Sequence, residues 1–130
     1  MKKLVYLLFV VLLAFPLLIS AQEDVVAARL EEFGNNLPRG YGLVSVEDLT
    51  GMLSVQEVVL LDVREPDEYA AGHLEGAFNV PLRTLAQNLN LLPDQSATIV
   101  VICKGGGRAM LAATSLQILG YQNVKVLKGG

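Results

Sequence analysis

One residue of this chain is well suited to nucleophilic chemistry, the single cysteine Cys103. A cation, three glycines and a second cation follow it: Lys104, Gly105, Gly106, Gly107 and Arg108. Consecutive glycines let backbone N–H groups curl around an anion, and a helix start and two cations add positive potential. Because each of these influences favours thiolate over thiol, the loop predicts a nucleophilic Cys103 at neutral pH.

The composition excludes several other uses of this thiol. With one cysteine and one histidine in 130 residues, the chain offers no internal disulfide, no C-x-x-C redox pair and no common set of metal ligands. We therefore expect neither a metal nor a cofactor.

The elements that position Cys103 alternate between strands and helices. Residues 58–61 and 98–102 are apolar runs typical of strands buried on both faces, and Asp62 and Cys103 follow them directly. The predicted strands are 58–61, 78–80, 98–102 and 124–127, and the predicted helices are 24–33, 45–53 (with Ser45 as its cap), 66–71, 82–89 and 108–119. This order indicates an α/β fold with a mainly parallel sheet, whose ligands bind beyond the carboxyl ends of the strands.

Asp62 and Arg64 have two interpretations. In the first, Asp62 accepts hydrogen bonds from the loop amides while Arg64 shapes the site. In the second, the two residues form an ion pair that holds the strand to the next helix. We favour the second, because a carboxylate beside a thiolate opposes its ionisation. His73 is likewise expected to make a fixed hydrogen bond, since a thiolate nucleophile needs no general base.

The N-terminus has the layout of a secretory signal peptide. Lys2 and Lys3 precede the apolar run 4–19, and Ser20-Ala21 supplies small residues. We expect residues 1–21 to be removed and the protein to be exported to a periplasmic or extracellular location, with an uncleaved anchor as the alternative. Residues 22–42 are then a short helix and linker, and residues 43–130 the main domain.

The charge of the chain without this leader bears on its partners. Eight Lys and Arg face 13 Asp and Glu, an acidic balance that disfavours a nucleic-acid partner. No later apolar run reaches the length of a membrane span, so we expect no membrane association after cleavage.

Three segments together resemble rhodanese-domain sulfurtransferases. They are Cys-Lys-Gly-Gly-Gly-Arg-Ala at 103–109, the stretch from Leu61 to Pro81 that contains Asp-Val-Arg-Glu-Pro and Gly-His-Leu-Glu-Gly-Ala, and 119–124 followed by 127–130. The resemblance covers the chain from about Leu43 onward. It implies a rhodanese-like fold, with a mainly parallel five-stranded sheet flanked by helices on both faces.

The resemblance also implies an enzyme that transfers sulfur, similar to thiosulfate sulfurtransferase. Cys103 would take a sulfane sulfur from a small anionic donor such as thiosulfate, hold it as a persulfide, and pass it to a thiol or cyanide acceptor. The backbone of residues 104–108 would cradle the outer sulfur, with Lys104 and Arg108 attracting the donor. Asp62 and Arg64 would support the site.

Two other functions stay open at this point. The domain could be a persulfide relay or sulfur-binding module that does not turn over small molecules and whose partners are proteins. It could also be a rhodanese-fold phosphatase or arsenate reductase. Those enzymes carry five residues between the cysteine and the arginine, whereas this chain has four, which suits a smaller group than a tetrahedral oxyanion.

Overall fold

The computed structural model describes residues 24–37 and 42–129, in two units that divide between Asn36 and Leu37. The first unit contains helix α1, residues 24–35, which runs two residues beyond its expected end and whose side chains are exposed except for the half-buried Phe33. The predicted leader lies outside the described residues, as does most of the linker. In the described ranges, no helix is both long and apolar enough to cross a bilayer.

The second unit contains a five-stranded sheet and its covering helices. Its elements are β1 (Leu43–Val44), α2 (Val46–Val55), β2 (Val59–Asp62), α3 (Pro66–Ala70), β3 (Phe78–Asn79), β4 (Thr98–Ile102), α4 (Gly107–Ile118) and β5 (Asn123–Leu127). Two 3₁₀ helices, Leu82–Gln87 and Leu89–Leu91, lie between β3 and β4. All strand pairs are parallel, in the order β1-β5-β4-β2-β3.

Each face of the sheet has its own core, because successive strand side chains point to opposite faces. In β4, Ile99 and Val101 belong to one core while Val100 and Ile102 belong to the other. The first core is completed by residues of α4 and the first 3₁₀ helix: Leu85, Ala109, Ala112, Ala113 and Leu116. The second is completed by residues of α2 and α3: Leu49, Met52 and Tyr69. The expected α/β fold, with helices on both faces of a parallel five-stranded sheet, is confirmed.

The strand order brings together the carboxyl ends of β4 and β2, the two strands at which the connections diverge. These two strands are neighbours, with four residue pairs in register from Val59 with Ile99 to Asp62 with Ile102. The chain leaves β4 through α4 toward β5, on one face, and leaves β2 through α3 toward β3, on the other. Where connections diverge in this way, the loops separate and leave room for a ligand.

Helix α2 begins as its sequence predicts. The Ser45 hydroxyl accepts from the Asp48 N–H at 3.1 Å, and the Asp48 carboxylate accepts from the Ser45 N–H at 3.1 Å. These bonds form a capping box. The bond from the Ser45 N–H, and after it a 3.0 Å bond from the Ser45 hydroxyl to the same carboxylate, lower the pKa of Asp48. The helix continues to Val55, two residues past its expected end.

The prediction of one helix over residues 82–89 is wrong. The segment forms two 3₁₀ helices with i to i+3 bonds, such as Thr84 N–H to Pro81 O at 2.9 Å and Asn88 N–H to Leu85 O at 3.1 Å. The Asn88 side chain donates to the Thr84 carbonyl at 2.8 Å, an i to i−4 bond that a continuing α-helix would make with its backbone.

Candidate active site

Cys103 lies one residue beyond β4, at the edge of the sheet where β4 and β2 end side by side. It continues the alternation of Ile99 and Val101, so its side chain joins the core that α4 covers and is 3% exposed. The Val63 N–H donates to the Ile102 carbonyl at 3.0 Å, which extends the pairing of β2 with β4 up to the cysteine. The sulfur therefore stands on a strand end fixed by hydrogen bonds, a placement that favours precise chemistry.

The loop after Cys103 directs a backbone donor at the sulfur. The Gly106 N–H donates to Sγ at 3.0 Å, and Gly106 has a φ of 87°, a conformation that glycine adopts without strain. Gly106 is also the N-cap of α4, and it has no side chain that could accept a hydrogen bond. The N–H groups of the first turn of an α-helix have no acceptor within the helix, so those of α4 are not capped by this residue. The sequence predicted several amides around the sulfur, whereas among the described residues one amide, that of Gly106, donates to it.

The two cations of the loop are placed differently. Lys104 is exposed, as are Gly105 and Gly107, whereas Arg108 is half-buried in the first turn of α4. Arg108 Nη1 and Nη2 donate to the two carboxylate oxygens of Glu68, at 2.5 and 2.9 Å. This bidentate pair is the main cause of the raised pKa of Arg108, and the charge of Cys103 is a further one. The predicted donor-attracting arginine is thus already bound to a carboxylate.

Glu68 is a residue of this site that sequence reasoning missed. It belongs to α3, and its Oε2 also accepts from the Glu65 N–H at 3.1 Å. The Arg108 bonds first, and this backbone bond second, lower the pKa of Glu68 from 4.5 to about 2. The predicted order of elements contained a signal for this role of Glu68. Because α3 starts directly after β2, its first turn lies at the same edge of the sheet as the Cys103 loop.

Asp62 and Arg64 form the ion pair that was favoured from the sequence. Asp62 is fully buried, and it accepts from the Arg64 backbone N–H at 2.9 Å and from Arg64 Nη2 at 2.6 Å. Among the hydrogen bonds of the described residues, those to the Asp62 carboxylate all come from Arg64, and none comes from the Cys103 loop. Arg64 Nη2 also donates to the Gly72 carbonyl at 2.8 Å, which joins β2 to the end of α3.

Asn79, in β3, binds to the end of the neighbouring strand β2. Its Nδ2 donates to the backbone carbonyls of Asp62, at 3.0 Å, and Arg64, at 2.9 Å. The end of β2 is therefore held by β4 on one side and by β3 on the other.

His73 makes a fixed contact. Its Nδ1 is 3.0 Å from the Tyr69 carbonyl, and its ring stacks on the Tyr69 ring with centroids 3.7 Å apart. Tyr69 is itself anchored by its hydroxyl, which donates to the Ala77 carbonyl at 2.6 Å. In residues 24–37 and 42–129, His, Cys, Asp and Glu form no group of three that could hold a metal ion.

Similar proteins share this architecture. A family model described as "Rhodanese-like domain" matches residues 45–130. Thiosulfate sulfurtransferase 16, chloroplastic, of Arabidopsis thaliana is 40% identical over 81 residues, which are 54% of this chain and 68% of the plant protein. The tRNA uridine(34) hydroxylase of Buchnera aphidicola is 34% identical over 92 residues, which are 67% of this chain and 30% of the hydroxylase.

The solved structures give the same result. The human single-domain sulfurtransferase TSTD1 is 28% identical with a TM-score of 0.62, covering 68% of this chain and 86% of the human one. The chain spans less than a third of the length of the Buchnera hydroxylase, so what it shares with that protein is one domain. With a family model that covers both the Cys103 loop and the β2 edge, this chain belongs to the rhodanese-like domain family.

Proposed function

We propose that this protein is a sulfurtransferase that carries a sulfane sulfur on Cys103. The observation that carries the proposal is the Gly106 N–H directed at Sγ, at the carboxyl ends of two adjacent parallel strands. A backbone donor stabilises negative charge on sulfur without introducing a titratable group. Relatives named as thiosulfate sulfurtransferases support the same reaction class.

The reaction consists of two displacements. The Cys103 thiolate attacks the outer sulfur of thiosulfate, and the sulfur–sulfur bond breaks with its electron pair leaving on sulfite. The enzyme then carries a persulfide, Cys–S–S⁻. A thiolate or cyanide attacks the outer sulfur and takes it as a new persulfide or thiocyanate, and Cys103 departs as the thiolate. No external oxidant or reductant is needed, and the kinetics should be ping-pong.

The loop supplies the electrostatics for both steps. The negative charge passes from the Cys103 sulfur to the outer sulfur, one bond farther from the strand. The first-turn N–H groups of α4 follow Gly106 immediately and have no acceptor within their own helix. They are therefore suitable donors for the outer sulfur, while Lys104, exposed on the same loop, attracts the anionic donor.

Intact mass spectrometry tests this proposal directly. Thiosulfate should add one sulfur, about 32 mass units, and cyanide should remove it. Cys103→Ser protein should show no gain. An unchanged mass in the wild-type protein, or the same gain in Cys103→Ser, would contradict the assignment of Cys103.

The same preparation distinguishes an enzyme from a relay. Steady release of thiocyanate from thiosulfate and cyanide indicates turnover of small molecules. A persulfide that forms but leaves much faster to a protein thiol than to cyanide indicates a relay with protein partners. Hydrolysis of an aryl phosphate faster than thiosulfate turnover would instead favour a phosphatase.

We also propose that the protein acts outside the cytoplasm after loss of residues 1–21. The support is the sequence of that segment, with two lysines, an apolar run and small residues before Gln22. Expression with the native N-terminus, fractionation and N-terminal sequencing test this step. A mature chain beginning at Gln22 in the exported fraction is the expected result, and an intact Met1 in the cytoplasmic fraction contradicts it.

A further inference from the structure

The arginines at the carboxyl edge of the sheet are neutralised by carboxylates. The pairs are Arg64 with Asp62 at 2.6 Å, Arg83 with Glu65 at 3.2 Å, and Arg108 with Glu68 at 2.5 Å. In the described part of the chain, Lys104 forms no such pair. The proposed site should attract an anionic donor, and yet carboxylates compensate the positive charge of all three of these arginines.

Arg108 is the arginine of this group that belongs to the Cys103 loop and the first turn of α4. It lies two residues after Gly106, whose N–H contacts Sγ, and the charge of Cys103 contributes to the raised pKa of Arg108. Glu68 occupies two nitrogens of its guanidinium, the groups that would otherwise bind two oxygens of an oxyanion.

We infer that Glu68 sets the affinity of the Cys103 loop for oxyanions by holding Arg108. This inference rests on the proposed sulfur transfer, in which a dianionic donor must enter and sulfite must leave. An unpaired Arg108 would bind both anions more tightly, which helps the donor to bind but delays release of the product. Glu68 is a positioning residue, since it acts on the anion through Arg108.

The test is Glu68→Gln, which keeps the shape of the side chain and removes its charge. The probe is sodium sulfate, which carries no sulfane sulfur, and the readout is protection of Cys103 from alkylation by iodoacetamide at constant ionic strength. The sulfate concentration for half-protection should fall roughly threefold, the scale of a partly exposed ion pair. The KM for thiosulfate and the inhibition constant for sulfite should fall together, with no rise in kcat, and high salt should weaken the effect.

Asp67→Asn is the matched control. It removes the same charge at the adjacent residue, which is exposed and forms no ion pair among the described residues. Sulfate protection in this variant should equal that of the wild-type protein. Glu68→Asp keeps the charge and should also keep the wild-type protection.

The outcomes separate this inference from a purely structural role. If Glu68→Gln lowers the melting temperature and kcat while half-protection by sulfate stays unchanged, Glu68 serves stability and the inference is wrong. An equal shift in Asp67→Asn would also overturn it, because general electrostatics would then suffice. Alkylation needs no sulfur transfer, so a failed mass test for the persulfide leaves this measurement valid, and the two proposals fail separately.

Discussion

Asp62 is a fully buried carboxylate, and its charge is compensated by one neighbouring side chain, Arg64. In Arg64→Ala, the Asp62 carboxylate would keep the backbone N–H of residue 64 as a hydrogen-bond donor but would lose its counter-charge. We expect Arg64→Ala to lower the free energy of unfolding by about 3 kcal/mol, because removing one partner of a buried ion pair leaves the other charge buried without compensation. Urea denaturation measures this loss.

The exposed pair of Arg83 and Glu65 provides the comparison for that measurement. Arg83 is 83% exposed in its side chain, so Arg83→Ala should cost less than about 1 kcal/mol. Equal losses in Arg64→Ala and Arg83→Ala would show that burial does not set the strength of the Asp62 pair.

The ion pair of Glu68 with Arg108 makes the stability of the fold depend on pH. The pKa of Glu68 is about 2 in the folded protein and 4.5 when unperturbed, so the unfolded chain takes up a proton first as the pH falls. The stabilisation by the Glu68–Arg108 pair is therefore complete above pH 4.5 and is lost between there and pH 2. Melting temperatures of wild-type and Glu68→Gln proteins should differ at pH 7 and converge toward pH 2. A constant difference over this range would contradict the assignment.

At the scale of elements, the turn between β4 and α4 depends on one backbone conformation. Gly106 has a φ of 87°, which strains any residue with a Cβ, although no atom lies within 4 Å of a Cβ built there. Gly106→Ala should cost about 1–2 kcal/mol of stability from this strain alone. If the turn relaxes, its N–H leaves Sγ, and kcat/KM for sulfur transfer should fall about tenfold or more.

Gly76→Ala is the control for that variant. Gly76 has a φ of 80°, also with nothing within 4 Å of a built Cβ, and it lies outside the Cys103 loop. It should lose similar stability and keep its sulfur transfer. Equal loss of transfer in both variants would indicate a general effect of strain rather than an effect on the loop.

The elements that could be predicted are those whose pattern is decided locally. The runs 58–61 and 98–102 are continuous and apolar, and Ser45 with Asp48 fixes a helix start within four residues. The segment 82–89 was predicted as one helix and forms two 3₁₀ helices, because its leucine spacing suits both conformations. The partnership of Glu68 with Arg108 could not be found either, since 40 residues separate them and they meet because β2 and β4 are neighbours.

At the scale of the whole molecule, the strand order assembles the site. The site comes from two stretches of sequence, 62–68 with the Asp62 pair and Glu68, and 103–108 with the Cys103 loop, and the adjacency of β4 and β2 brings both to one edge. The two cores beneath them are formed by residues between Val44 and Leu127. Among the described residues, those shown to position the reacting sulfur therefore belong to the second unit.

This containment predicts that residues 1–36 are dispensable for folding and for sulfur transfer. A chain that begins at Leu37 keeps every member of both cores, and the residues of α1 are exposed except Phe33, which is half-buried. The midpoint of its urea denaturation should match that of the full-length chain. The slope of the transition should match as well, because the slope follows the surface exposed on unfolding. Its persulfide should form at the same rate. A lower midpoint, or slower sulfur uptake with the fold intact, would mean that the first 36 residues contribute to the domain.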